Sequence, residues 1–168
     1  MWGYVMSVAD RKQEKQVKRR TWMMPQEVEV WYVLPAIRRE FTKAMKAKEV
    51  PRIGDDGKTK LHRITQKEIA KMLGVTEPAI TQYLLKKKGM RSRGDQVVIP
   101  EKFLPEIDKS ADEIIAVFEK GLKEEDMFET MTREVNRIIR IMRDDGAMCD
   151  IHRQFSIHVK GKCSACDR

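Results

Sequence analysis

The chain lacks any apolar run long enough to matter to a bilayer. The longest uncharged apolar stretch, Val30–Ile37, has eight residues, against roughly 20 for a spanning helix. No transmembrane segment is expected. The N-terminus has no apolar core ahead of a cleavage signal, so no secretory peptide is read and a cytoplasmic location is expected. Cysteine is scarce: three residues, all within 149–166. A disulfide framework is not expected in such a chain, and 168 residues can bury a core without one. Asparagine occurs once, at Asn136. Together with abundant Lys, Arg and Glu this leans toward a thermophile cytosol, while eleven methionines pull the other way. No Ser/His/Asp set, paired carboxylates or phosphate-cradling loop is visible. Gly54-Asp55-Asp56-Gly57 is too short and too acidic to hold phosphate. The chain is not read as an enzyme.

What is present is charge, and it is unevenly placed. The formal net charge is +8. Residues 58–94 carry ten basic and two acidic side chains, and residues 95–168 carry twelve and sixteen. One stretch of 37 residues thus equals the whole net charge, while the C-terminal half is acidic. A polyanion is the natural partner for such a block.

Residues 1–23 are basic and without apolar period. They read as a disordered tail, or as a segment ahead of a true start at Met23 or Met24. A basic arm on nucleic acid is the third choice. Val28–Leu34 reads as a strand or an apolar lead-in. Pro35 suits the first turn of a helix, and Leu34, Ile37, Phe41 and Met45 make its stripe, over about 35–48. Residues 49–63 form a loop or small hairpin. Thr65 and Glu68 form a capping box. Ile69, Ala70, Met72 and Leu73 give a short helix its apolar face, and Gly74 ends it. Thr76 offers a second N-cap, and Ala79, Ile80, Tyr83 and Leu84 face inward on the next short helix. Lys86–Gly94 is a basic loop, Gln96–Ile99 a possible strand, and two amphipathic helices follow at about 105–121 and 124–144. The fold expected is mostly α, in four parts: tail 1–23, helix-turn-helix domain 24–100, helical dimerisation or packing region 101–146, and a Cys/His tail 147–168.

Ala70, Gly74 and Ile80 carry the helix-turn-helix reading: small at the helix crossing, left-handed at the turn, buried on the second helix. Trp-Tyr-Val-Leu-Pro-Ala-Ile-Arg-Arg-Glu (31–40) with Thr-Gln-Lys-Glu-Ile-Ala-Lys-Met-Leu-Gly-Val-Thr-Glu-Pro-Ala-Ile-Thr-Gln-Tyr-Leu (65–84) resembles a family of predicted archaeal transcriptional regulators. Their domain is similar to the lambda-repressor type. The resemblance covers about 24–94 and departs from the family's usual form at 49–63, where residues are inserted. It implies DNA binding by the second short helix.

Read from the residues, that helix exposes Glu77, Pro78, Thr81 and Gln82 to bases. Gln82 can pair bidentately with adenine, Glu77 can accept from cytosine, and Pro78 or the Thr81 methyl can touch a thymine methyl. Gln66, Lys86, Lys87, Lys88, Arg91 and Arg93 are candidate phosphate contacts. A single such unit buries little surface, so a homodimer on two half-sites is expected. Residues 105–144 supply either its interface or the chain's own core. Met127, Phe128 and Met131 are read as core filler.

The tail offers a C-x₂-H and C-x₂-C set: Cys149, His152, Cys163 and Cys166, with ten residues between the pairs. Phe155–Val159 alternates like a strand, which would make a hairpin closing a Cys₃His zinc site. An iron–sulfur cluster is the alternative cofactor. His158 reads as a surface residue. The leading function is a sequence-specific DNA-binding transcription regulator whose metal tail is structural or redox-sensing. The alternative is a protein-interaction adaptor of the transcription machinery, using the tail and acidic helices.

Overall fold

A computed structural model describes residues 22–54, 57–85, 92, 94–121, 123–159, 161, 163 and 164. Helical structure begins earlier than the sequence pattern indicated. An α-helix α1 (Pro25–Val28), a π-helical segment (Glu29–Val33) and α2 (Leu34–Lys46) run on without a break. The strand or lead-in expected at Val28–Leu34 is therefore helical. Pro25 occupies the first turn, and the Glu27 carboxylate accepts the Met24 backbone N–H at 2.8 Å. The π segment has a cause in Pro35. Proline has no N–H for the carbonyl four residues back and its ring crowds that carbonyl. Widening the preceding turn relieves both, and Leu34 bonds instead to Glu29 O, five residues back.

Residues 49–63, expected as a loop or small hairpin, form an antiparallel hairpin, β1 (Glu49–Ile53) and β2 (Thr59–Arg63), in register from Glu49 opposite Arg63 to Ile53 opposite Thr59. Of its ten strand residues only Val50 is buried. Then come α3 (Gln66–Leu73) and α4 (Glu77–Leu84). Residues 96–99 form no strand. Val97 and Ile99 are buried and Val98 is exposed, so the alternation is real but has no partner strand. A short 3₁₀ turn (Glu101–Phe103) leads into α5 (Leu104–Glu119), α6 (Glu124–Asp144) and α7 (Ala147–Phe155).

One apolar cluster runs through all of this, from Met23 to Phe155. Helix α2 is its axis: Ile37, Phe41 and Met45 are fully buried, and α2 packs against α3, α4 and α5. Helix α5 lays Ile107, Ala111 and Ile114 into the same core. Met23 also lies inside the packed body, 4% exposed.

Helices α5 and α6 are joined by a polar knot. Ser110 donates to Glu134 Oε2 at 2.7 Å, and Arg137 donates to Glu134 at 3.0 Å, to the Glu106 carboxylate and to Ser110. Burial alone would raise the Glu134 carboxyl, but the hydrogen bonds from Ser110 and Arg137 outweigh it and hold it below its ordinary value of 4.5. A carboxyl lowered in the folded state stabilises the fold fully above its unfolded value. That stability is lost as pH falls through the lowered one. Glu134→Gln is expected to cost about 1–2 kcal/mol at pH 7. In urea unfolding the gap from wild type should narrow at pH 3; an unchanged gap would sink this account of the knot.

Candidate nucleic-acid interface

The surface that follows the hairpin is set by two short helices and a turn. Thr65 sits extended ahead of α3. Its hydroxyl oxygen accepts the Glu68 N–H at 3.3 Å, while Glu68 accepts the Thr65 N–H at 2.8 Å. Both orphan donors are thereby satisfied. The Glu68 carboxyl, which burial would raise, is held below its ordinary value by Thr65 and by Arg52. Gly74 closes α3 at φ +60°, in the left-handed region where a Cβ is disfavoured. Thr76 holds the N-cap position of α4, but its side chain makes no capping bond there.

Packing then decides which face of α4 is outward. Ala79, Ile80 and Tyr83 are buried and Leu84 is half-buried, with Ala70 of α3 also buried at 6% exposure. Glu77, Pro78, Thr81 and Gln82 are exposed. The Thr81 hydroxyl donates to Gln66 Oε1 at 3.1 Å and contacts the Glu77 carbonyl at 3.4 Å. Gln66 thus ties the start of α3 to the middle of α4, and its NH₂ group remains its outward donor.

Lys86, Lys87, Lys88, Arg91 and Arg93 lie outside the described residues. The far side of their loop is described at Ser92, Gly94 and Asp95. The buried Ser92 hydroxyl reaches the carbonyls of Gln82 and Tyr83, each at 3.1 Å, at the C-terminus of α4. Asp95 accepts the Ser92 N–H at 2.9 Å. A Cβ built on Gly94 (φ +76°) would fall 2.4 Å from the Pro35 carbonyl oxygen, so the chain here lies against the start of α2. Sequence reading missed this anchor, because neither residue belongs to a periodic or capping pattern.

The hairpin braces the same region. Arg52 of β1 pairs with Glu119 of α5 at 2.7 Å and with Glu68 of α3 at 2.7 Å. Its guanidinium is held charged above its already high ordinary value, first by Glu119 and then by Glu68. The chain matches no family model, no curated protein and no solved structure. What this surface can do follows from its own residues. An amide, a hydroxyl and a carboxylate project from a short helix on a rigid base. The stretch on which the basic side chains concentrate begins at the hairpin and ends beside that helix's C-terminus.

The C-terminal candidates are placed differently from the sequence reading. Cys149 and His152 lie one turn apart on α7, which runs through Phe155; Ser156 then forms an isolated β-bridge and residues 157–158 turn, so among the described residues no strand extends over 155–159. Ile151 and Phe155, with Met148, form a buried helical stripe, and Phe155 stacks on Tyr32 at 4.0 Å. The His152 ring lies 2.6 Å from the Met23 carbonyl through Nε2. A carbonyl only accepts, so Nε2 is the donor in this contact. Cys163 is half-buried, and Cys166 lies outside the described residues. Among the described residues no three His, Cys, Asp or Glu side chains converge as a metal site. His158 is exposed and its ring lies 5.0 Å from that of Trp22.

Met127, Phe128 and Met131 are not simply core filler. They line a cleft of about 760 Å³ between α6 and α3. Among the described residues, no helix is long and apolar enough to cross a membrane.

Proposed function

We propose that this chain is a sequence-specific DNA-binding transcription regulator that inserts α4 into the major groove as the recognition helix of a helix-turn-helix. The observation that carries the reading is the sorting of α4: Ala79, Ile80 and Tyr83 inward, and Glu77, Pro78, Thr81 and Gln82 outward. Gln82 matches the N6/N7 edge of adenine, and the Gln66 amide suits a phosphate. Lys86, Lys87, Lys88, Arg91 and Arg93 supply the counter-charge for the backbone. Since one such unit covers few base pairs, two copies act on half-sites about one helical turn apart. The resemblance of 31–40 and 65–84 to archaeal regulators points the same way. The reading extends to a metal at Cys149, His152, Cys163 and Cys166, with zinc ahead of an iron–sulfur cluster. The chemistry of His152 suits a ligand, because metal-bound histidines commonly donate their other N–H to a carbonyl.

The test is selection of bound duplexes from a random pool, followed by fluorescence anisotropy on the selected and a random duplex. Gln82→Ala is expected to reduce discrimination roughly 10- to 100-fold, the equivalent of about 1–3 kcal/mol. Lys87→Ala with Lys88→Ala should weaken both duplexes alike and flatten the salt dependence. Equal losses on both duplexes for Gln82→Ala would remove the assignment of α4. Metal analysis of the same preparation, with and without Cys163→Ser, reads the tail.

A further inference from the structure

The cleft beside α3 has the size of a small-molecule site, for which about 300–1,000 Å³ is usual. Its walls are Met72 and Leu73 of α3, Met131 of α6 and Phe118 near the end of α5. Unbranched thioethers and aromatic rings adapt to apolar ligands of varied outline. Phe128 stands at the mouth, 75% exposed, where a side chain that only filled the core would be covered. The apolar lining is interrupted by charge. Arg38 of α2 lines the cleft, and its Nε is buried with no hydrogen-bond partner among the described residues. Nor is Arg38 ion-paired there, unlike Arg39, which reaches Glu40. Lys71 adds a second cation to the lining and Glu124 one anion, so the lining is net positive. The Nε itself is closed off from the cleft, so an incoming carboxylate would meet Arg38 through the rest of its guanidinium, in a charge-assisted pair.

We propose that this cleft binds an amphipathic organic anion, with an apolar chain or ring on the Met and Phe walls and a carboxylate against Arg38. The proposal stands whether or not α4 reads DNA, and its test uses no DNA. The full chain is titrated calorimetrically with decanoate, 1-decanol and decyltrimethylammonium, each below micellar concentration. Decanoate is expected to bind saturably, one per chain, at least tenfold more tightly than 1-decanol, and the cation not at all. Arg38→Gln should weaken decanoate tenfold or more and leave 1-decanol unchanged. Phe128→Ala, at an exposed position where folding is indifferent, should weaken both. Equal binding of decanoate and 1-decanol, with no effect of Arg38→Gln, would overturn the proposal. So would a lack of saturable decanoate binding in a chain that sediments as a dimer and becomes a monomer on Phe128→Ala, since the cleft would then belong to a second copy.

Discussion

Gly94→Ala is expected to destabilise the fold by about 2–5 kcal/mol and to lower the melting temperature by roughly 5–15 °C. Two effects act together. At φ +76° any Cβ is strained, and here it would fall 2.4 Å from a backbone oxygen, that of Pro35, which cannot step aside as a flexible side chain can. Gly74 provides the control. It also has a positive φ, +60°, but a Cβ there meets nothing within 4 Å. Gly74→Ala should therefore cost only the conformational part, about 1–2 kcal/mol. If the two variants melt alike in calorimetry, residue 94 does not approach Pro35 closely in solution, and the anchor of the basic loop is misplaced. The comparison separates local strain from a tertiary clash, which a single glycine variant would not.

The second large effect is expected at Phe41. It is fully buried on α2, the helix that α3, α4 and α5 all pack against. Phe41→Ala removes apolar contacts at a place with no room to collapse from one side, and should cost about 3–5 kcal/mol. Leu61 offers the contrast, an equally apolar residue on β2 that is 69% exposed. Leu61→Ala should stay within about 0.5 kcal/mol of wild type. Guanidinium unfolding with an unchanged slope reads both. A small loss at Phe41 would mean that α2 is not the shared axis of the core.

The two short helices were legible because several local signals agree there. Thr65 with Glu68 marks a start, Gly74 a stop, and the spacing of Ile69, Ala70, Met72 and Leu73 one face. Helix α2 was legible from Ile37, Phe41 and Met45. The turn before it was not. Val-Glu-Val-Trp-Tyr-Val is rich in β-branched and aromatic residues and alternates, so it reads as a strand. Pro25 and Glu27, which start a helix, lie outside that window and decide the outcome. Phe155–Val159 misled in the same way at its first residue: Phe155 belongs to the α7 stripe with Ile151. The anchor at Ser92 and Gly94 was invisible because it is wholly tertiary: a serine reaching carbonyls nine and ten residues back, and a glycine lying against a distant helix start. The charge block, by contrast, is a property of composition and chain order, and needed no fold to be seen.

The Met23–His152 hydrogen bond joins residues 129 positions apart. In polymer terms it closes a ring containing nearly all of the described chain. Loop closure grows only logarithmically with length, so this contact carries roughly 2 kcal/mol more entropy loss than a ring of about ten residues such as the hairpin. It is therefore among the last contacts to be worth making as the chain folds. The seam between α1 and α7 belongs late on the folding route, and substitutions there should quicken unfolding while leaving the folding rate almost untouched.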